Sequence, residues 1–208
     1  YIGTRLIEAL LRRGHTVRAL ARASSVQRVP SGAQAVEGDA LDAASIGAVL
    51  RDGETIVHLV GTPHPNPSKA QEFENIDLAS IRATVSAARQ RNIPHLVYVS
   101  VAQPAPAMHA YVAARAAGES AIGDAGLTAT FLRPWYVLGP GHWWPIVLIP
   151  GYAIAELLPP TRAMARRIGL VTVKQMVDAL VRAVETPPAR GTRRIVDVPA
   201  MRSGSFST

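Results

Sequence analysis

Tyr111 and Arg115 stand four residues apart in a stretch, 109–124, whose pattern predicts a helix, so both side chains share one face and can reach one cleft. A phenol can serve as acid or base on a carbonyl or hydroxyl group, but a free tyrosine titrates near ~10 and is a poor base at neutral pH until a cation stabilises its phenolate. Arg115 supplies that cation. It is no equivalent of a lysine, because a guanidinium is planar, stays protonated and cannot relay a proton through an amine. The plain alternative makes Tyr111 an amphipathic helix residue and Arg115 a surface charge. Ser100 closes a predicted strand over 95–101 and offers a hydroxyl to hold a substrate oxygen, whereas Val101 next to it offers none. His109 lies close enough to Tyr111 to act as a proton donor, or is a solvated loop histidine.

Other chemistries lack their residues. The chain has no cysteine, which excludes thiol catalysis and Cys-ligated zinc. Its six histidines are scattered, with no His-x-x-x-His on a helix and no carboxylate pair at ligand spacing, so no metal is expected. A nucleophile elbow of the G-x-S-x-G type is also missing.

The elements that must position Tyr111, Arg115 and Ser100 follow from two alternating periods. Ile2, Leu6, Ala9 and Leu10 mark an amphipathic helix ending near Gly14. A short strand at 17–21, another at 33–37, a helix at 42–50 and a β-rich run at 55–60 come next. A long helix at 71–91 carries Leu78, Ile81, Val85 and Ala88 on one stripe, and Pro94 turns the chain into the strand 95–101. After a Pro-rich loop come the Tyr111 helix and a strand at 127–132. Beyond Pro134 the pattern loosens, with a strand at 168–172, a helix at 173–185, a strand at 194–198 and a tail from Arg202 expected to fray. Strands separated by helix-length segments imply right-handed crossovers and a parallel sheet covered on both faces. The fold class is therefore α/β, a doubly wound parallel sheet, with a core over 1–134 and a smaller region over 135–208 capping the carboxyl ends of the strands.

The chain holds 208 residues, 48% of them hydrophobic and 18% charged, with a formal net charge of +7. Twenty of its 22 cations are arginines, spread without a block longer than a pair, which reads as composition bias before it reads as a nucleic-acid surface. The longest apolar stretch, 143–158, is broken by Pro145, Pro150, Gly151 and Glu156, too short for a membrane span of ~20 apolar residues. No secretory signal is readable, and a reducing cytoplasm is the expected compartment.

The opening residues Tyr1, Ile2 and Gly3 look like the tail of a glycine-rich turn that lets a backbone approach a pyrophosphate at a helix N-terminus. The strand and most of the turn that would precede them are expected to be missing, so that the record is N-terminally incomplete and the sheet lacks its first strand. The fragment alone is then expected to bind dinucleotide poorly. About 20 residues beyond the glycines, where a ribose-binding acid would sit, the chain carries Arg22 beside Ser24 and Ser25. A guanidinium binds a 2′-phosphate bidentately, which favours NADP over NAD, unless Arg22 is a solvated loop residue.

These residues, in this order, resemble the short-chain dehydrogenase/reductase superfamily, in its extended and atypical branches of epimerase/dehydratase and NmrA-like proteins. The carriers are Tyr-Ile-Gly-Thr at 1–4, Gly38-Asp39-Ala40, the run 58–62, Asn75, Val97-Tyr98-Val99-Ser100, Tyr111 with Arg115 and Gly118-Glu119, and Leu132-Arg133-Pro134 leading to Gly139-Pro140-Gly141. The resemblance implies an NAD(P)-dependent oxidoreductase or epimerase/dehydratase acting on a small carbonyl or hydroxyl substrate, with Tyr111, Arg115 and Ser100 catalytic. It departs from the family where Arg115 replaces the usual lysine. By the same resemblance Ile2 and Gly3 begin the cofactor site, Asp39 and Ala40 contact adenine, Val60, Gly61 and Thr62 pass under the ribose and diphosphate, Arg115 takes the nicotinamide ribose, and Pro134 to Val137 flank the nicotinamide. The alternative for Asp39 is a turn or N-cap carboxylate beside Gly38. His142, Trp143, Trp144 and Tyr152 suggest an apolar substrate mouth or simple core packing. The family also dimerises through the long helix and the Tyr helix, which leaves a homodimer open. The competing reading is an NADP-binding regulator, redox sensor or assembly factor without turnover.

Overall fold

A computed structural model describes residues 1–140, 147, 155, 157 and 159–206. Four strands, β3 (Thr55–His58), β4 (His95–Val99), β5 (Ala129–Leu132) and β8 (Arg193–Val196), form one sheet in the order β3-β4-β5-β8. Strands β1 (Arg18–Ala21) and β2 (Gln34–Glu37) form a second sheet, and β6 (Tyr136–Leu138) and β7 (Leu170–Thr172) a third. Every pairing is parallel, with Thr55 opposite His95, Leu96 opposite Ala129 and Ala129 opposite Arg193. Among the described residues β1 and β3 pair only with β2 and β4, so each keeps one free edge. Their burial reflects it: β1 is half-buried throughout, whereas β5 is fully buried.

The helices are α1 (Ile2–Arg12), α2 (Ala43–Val49), α3 (70–90), α4 (His109–Asp124), α5 (Pro159–Arg167), α6 (Val173–Glu185) and α7 (Val198–Ser203). Strand pleating sends alternate side chains to opposite faces. Val97 and Leu132 pack with Leu6 and Leu10 of α1 and Met176 and Leu180 of α6. Leu96, Tyr98, Ala129 and Phe131 pack with Phe73, Ile81 and Val85 of α3 and Ile122 of α4. Helices thus cover both faces of a parallel sheet, the doubly wound α/β arrangement expected from the spacing. Both α6 and β8 lie beyond residue 134 and help to build this core.

Local chemistry sets several boundaries. The Asp42 carboxylate accepts from the Ala44 and Ser45 amides and starts α2. Thr172 and Gln175 form a reciprocal capping box that starts α6. The long helix α3 departs from a regular pattern: α-helical at Ala70–Glu72, it widens into a π-helical turn at Phe73–Leu78 and resumes as α-helix at Ala79–Gln90. Its wider turn directs Phe73, Asp77 and Leu78 inward together. The tail is more ordered than expected. Asp197 caps α7 through the Ala200 amide, Gly204 closes it at φ 68°, and Phe206 lies beneath the guanidinium groups of Arg182 and Arg194, 5.4 and 5.9 Å from its ring centroid. No helix among the described residues is long and apolar enough to cross a membrane.

Candidate functional site

Parallel strands bring their carboxyl ends to one edge of a sheet. The loop 60–62 follows β3, Ser100 follows β4 and Pro134 follows β5, all at that edge of the four-stranded sheet. Gly3, in the first turn of α1, lies against the Leu59 side chain, so the start of α1 adjoins the loop after β3. In the other sheet Arg22 follows β1 and Asp39 and Ala40 follow β2.

Arg115 joins the end of β4 to the loop after β3. It is only 5% exposed, and its Nη1 donates to the Val99 carbonyl at 3.0 Å. Its Nη2 lies 2.7 Å from Asp77 Oδ1, an ion pair with a carboxylate that is wholly buried. The other carboxylate oxygen, Oδ2, accepts from the Thr62 amide at 2.9 Å and from the Thr62 hydroxyl at 2.6 Å. Gly61 makes room for the guanidinium, since a Cβ there would collide with Arg115 Nη2. The structure therefore joins Gly61, Thr62 and Arg115 through Asp77, a residue that sequence reasoning missed. Its signal was an acid on the apolar stripe of α3, four residues before Ile81.

Two phenols flank the guanidinium. Its Cζ lies 5.3 Å from the Tyr111 ring centroid and 5.7 Å from that of Tyr98. Tyr98 is fully buried, with no hydrogen-bond partner for its hydroxyl among the described residues, and burial pushes its pKa up to about 12 against the opposing pull of Arg115. Tyr111 is half-buried and packs on Phe73 with ring centroids 5.0 Å apart. It is thus the accessible phenol of the two. Burial works to lower the pKa of Arg115, but Tyr111, Tyr98 and Asp77 together hold it above the ordinary value, so the cation is permanent.

The remaining candidates are spread around this centre. Ser100 Oγ is buried and has no hydrogen-bond partner among the described residues, and Val101 beside it is buried as well. His109 is exposed at the first position of α4. Arg22 and Ser24 are exposed, with the Arg22 carbonyl accepting the Ser25 and Val26 amides. Asp39 is exposed and holds a turn through the Leu41 amide, while its own amide donates to Ser45 Oγ. Pro134 is buried, its carbonyl accepting from the Ala102 amide, and Val137 is half-buried in β6. Gly118 lets α4 approach β4 closely, because a Cβ there would come within 2.5 Å of Tyr98 Oη. Gly141, His142, Trp143, Trp144 and Tyr152 lie outside the described residues.

At the start of α1, Tyr1 makes no side-chain cap hydrogen bond and the first turn carries no acid.

The NAD(P)H-binding family model matches residues 1–140. The chain is 25% identical over 189 residues to a ceramide reductase of Caulobacter vibrioides, covering 90% of this chain and 59% of that protein. It thus spans about three-fifths of the length of this curated relative. Among solved structures it resembles the Bordetella bronchiseptica enzyme WbmH in complex with NAD+, with a TM-score of 0.68, 19% identity, and 94% of this chain and 71% of that one covered. It also resembles a UDP-glucuronic acid 4-epimerase of Bacillus cereus in complex with NAD, with a TM-score of 0.66, 15% identity, and 100% and 81% covered. The likeness to these two structures is one of fold and fits the superfamily resemblance carried by the motifs. With two thirds of its length matched by the NAD(P)H-binding model, the chain belongs to that family.

Proposed function

We propose that the protein is an NADP-dependent oxidoreductase or epimerase/dehydratase-like enzyme acting on a small apolar carbonyl or hydroxyl substrate. The observation that carries this reading is the accessible phenol of Tyr111 lying beneath a permanent cation, Arg115, at the carboxyl edge of the sheet. Tyr111 gives or takes the proton at the substrate oxygen, with the Arg115 guanidinium over its ring. Ser100, whose hydroxyl lacks a partner among the described residues, is the hydroxyl assigned to the substrate oxygen.

Ile2 and Gly3 at the start of α1 and Val60, Gly61 and Thr62 after β3 would hold the diphosphate side of the cofactor. Asp39 and Ala40 would meet the adenine, Pro134 and Val137 the nicotinamide. Arg115 would reach the nicotinamide ribose, a reading that its bond to Val99, next to Ser100, supports. Arg22 and Ser24 favour NADP, since no Asp or Glu stands beside them to repel a 2′-phosphate. Bound nicotinamide supplies or takes up the hydride. The name of the Caulobacter relative, a ceramide reductase, supports an apolar substrate. A homodimer through α3 and α4 belongs to the same reading. The cysteine-free composition suits a reducing cytoplasm.

One observation favours the non-catalytic alternative, an NADP-binding regulator, redox sensor or assembly factor: the Arg115 guanidinium is engaged by Asp77 and Val99. Tyr111→Phe separates the two readings. In the enzyme it abolishes carbonyl reduction, followed as NADPH oxidation, while the NADPH dissociation constant changes by less than about twofold. Turnover equal to wild type in the variant sinks the assignment of Tyr111 as the proton carrier.

A further inference from the structure

We propose that Asp77 is a positioning residue that couples the cofactor loop 60–62 to the Tyr111 helix through Arg115. The inference rests on the reading just given, in which 60–62 borders the diphosphate and Tyr111 handles the proton.

Its basis is the division of labour between two oxygens of one buried carboxylate. Oδ2 takes both donors of Thr62, and Oδ1 faces Arg115 Nη2. Arg115 Nη1 in turn donates to Val99, the residue before Ser100. Asp77 therefore joins three segments, the loop after β3, the π-helical turn of α3 and helix α4, and Arg115 adds the end of β4. A buried carboxylate is tolerated only when paired and hydrogen-bonded, and an apolar pair of similar size would fill the space at no loss of stability. What the charged arrangement adds is direction. It sets the height of the 60–62 backbone and the orientation of the guanidinium over the Tyr111 ring at the same time.

Asparagine cannot do both jobs. It carries one acceptor oxygen and no charge, so with that oxygen on the two Thr62 donors its amide N–H groups would face the Arg115 cation. Asp77→Asn must therefore release one arm. Thr62→Val removes the hydroxyl bond alone, and Thr62→Ser restores it.

The test compares the full chain as wild type, Asp77→Asn, Thr62→Val and Thr62→Ser. The readouts are the NADPH dissociation constant from fluorescence, kcat and KM for NADPH, and amide hydrogen exchange at Thr62. Thr62→Val is expected to weaken NADPH about tenfold, as loss of one charge-assisted hydrogen bond would. Thr62→Ser is expected to return to wild-type affinity. Asp77→Asn is expected to raise KM and lower kcat together. NADPH binding by Thr62→Val at wild-type affinity overturns the proposal, and so does a Thr62→Ser variant as weak as Thr62→Val. Should Asp77→Asn fail to fold, the two Thr62 variants decide alone. If wild type binds NADPH without turnover, the enzyme reading fails while the affinity series still decides this one. If wild type binds no dinucleotide, the Thr62 amide decides: exchange about tenfold faster in Asp77→Asn, at matched global stability, supports the coupling, and unchanged exchange refutes it.

Discussion

Arg133 and Glu119 face each other through two parallel bonds, Nε to Oε1 at 2.9 Å and Nη2 to Oε2 at 2.5 Å, which tie the end of β5 to helix α4. Gln103 adds a third bond to the same carboxylate at 2.9 Å. A bidentate pair in which Glu119 is buried fixes geometry as well as adding energy. We expect Arg133→Met to destabilise the chain by about 1–3 kcal/mol, because Glu119 is then left buried with Gln103 alone. The Arg133→Met/Glu119→Leu double variant should recover part of that loss in urea denaturation. Strict additivity of the two single variants would show that the pair is not coupled.

Two histidines make the fold sensitive to acid. Burial, aided by Arg115, lowers the pKa of His58 to about 3, and burial, aided by Arg194, lowers that of His95 to about 4. Unfolded histidines take up protons near ~6.5. Between about pH 6.5 and 4 the unfolded chain therefore binds protons that the folded chain refuses, so stability is full above 6.5 and falls as the pH drops. The slope is about 1.4 kcal/mol per pH unit for each histidine. Denaturation free energies at pH 7, 6 and 5 measure it, and His58→Gln, which can still bond to Thr84 or Ser80, should remove about half of the slope. A flat profile over that window would falsify the assignment of neutral, buried imidazoles.

Two glycine substitutions should act in opposite directions. Gly61→Ala places a methyl group against Arg115 Nη2, and the resulting strain should cost about 1–3 kcal/mol. Gly47 lies inside α2 with nothing within 4 Å of an added Cβ. Gly47→Ala should therefore stabilise by about 0.5–1 kcal/mol. Thermal melts of both variants provide the check, and an equally mild Gly61→Ala would mean that the guanidinium can move aside.

Cofactor preference is expected to follow Arg22. On the 2′-phosphate reading, Arg22→Ala raises KM for NADPH by about tenfold and leaves KM for NADH unchanged. Loss of both affinities together would point to a collapsed loop rather than to lost phosphate recognition.

Helix α6 carries much of one core face and begins at the Thr172–Gln175 capping box. Thr172→Ala should cost about 1 kcal/mol by freeing the Gln175 amide, while Thr172→Ser should cost far less. Equal losses in the two variants would trace the effect to the lost methyl group and not to the cap.

Much of the fold was legible because its signals are local. The short apolar runs that became β4 and β5, the apolar stripe of α3 and the helix bounded by His109 and Asp124 lie near their expected places. Less legible were β6, with only Tyr136, Val137 and Leu138 to signal it, and α5, whose residues 159–167 hold two prolines and three arginines. The π-helical turn was hidden too, since an inserted helical residue leaves no mark on a stripe that continues through Leu78 and Ile81.

For the candidate site, the sequence by itself determined that Tyr111 and Arg115 share a helix face, because helical spacing alone dictates it. It also determined that Gly61, Thr62 and Ser100 would gather at strand ends, because parallel crossovers return each strand in the same direction. Only the tertiary structure decided what the guanidinium would bind. A buried charge takes whichever opposite charge the packing brings to it, and here the packing of α3 against α4 delivers Asp77, remote in sequence from Arg115.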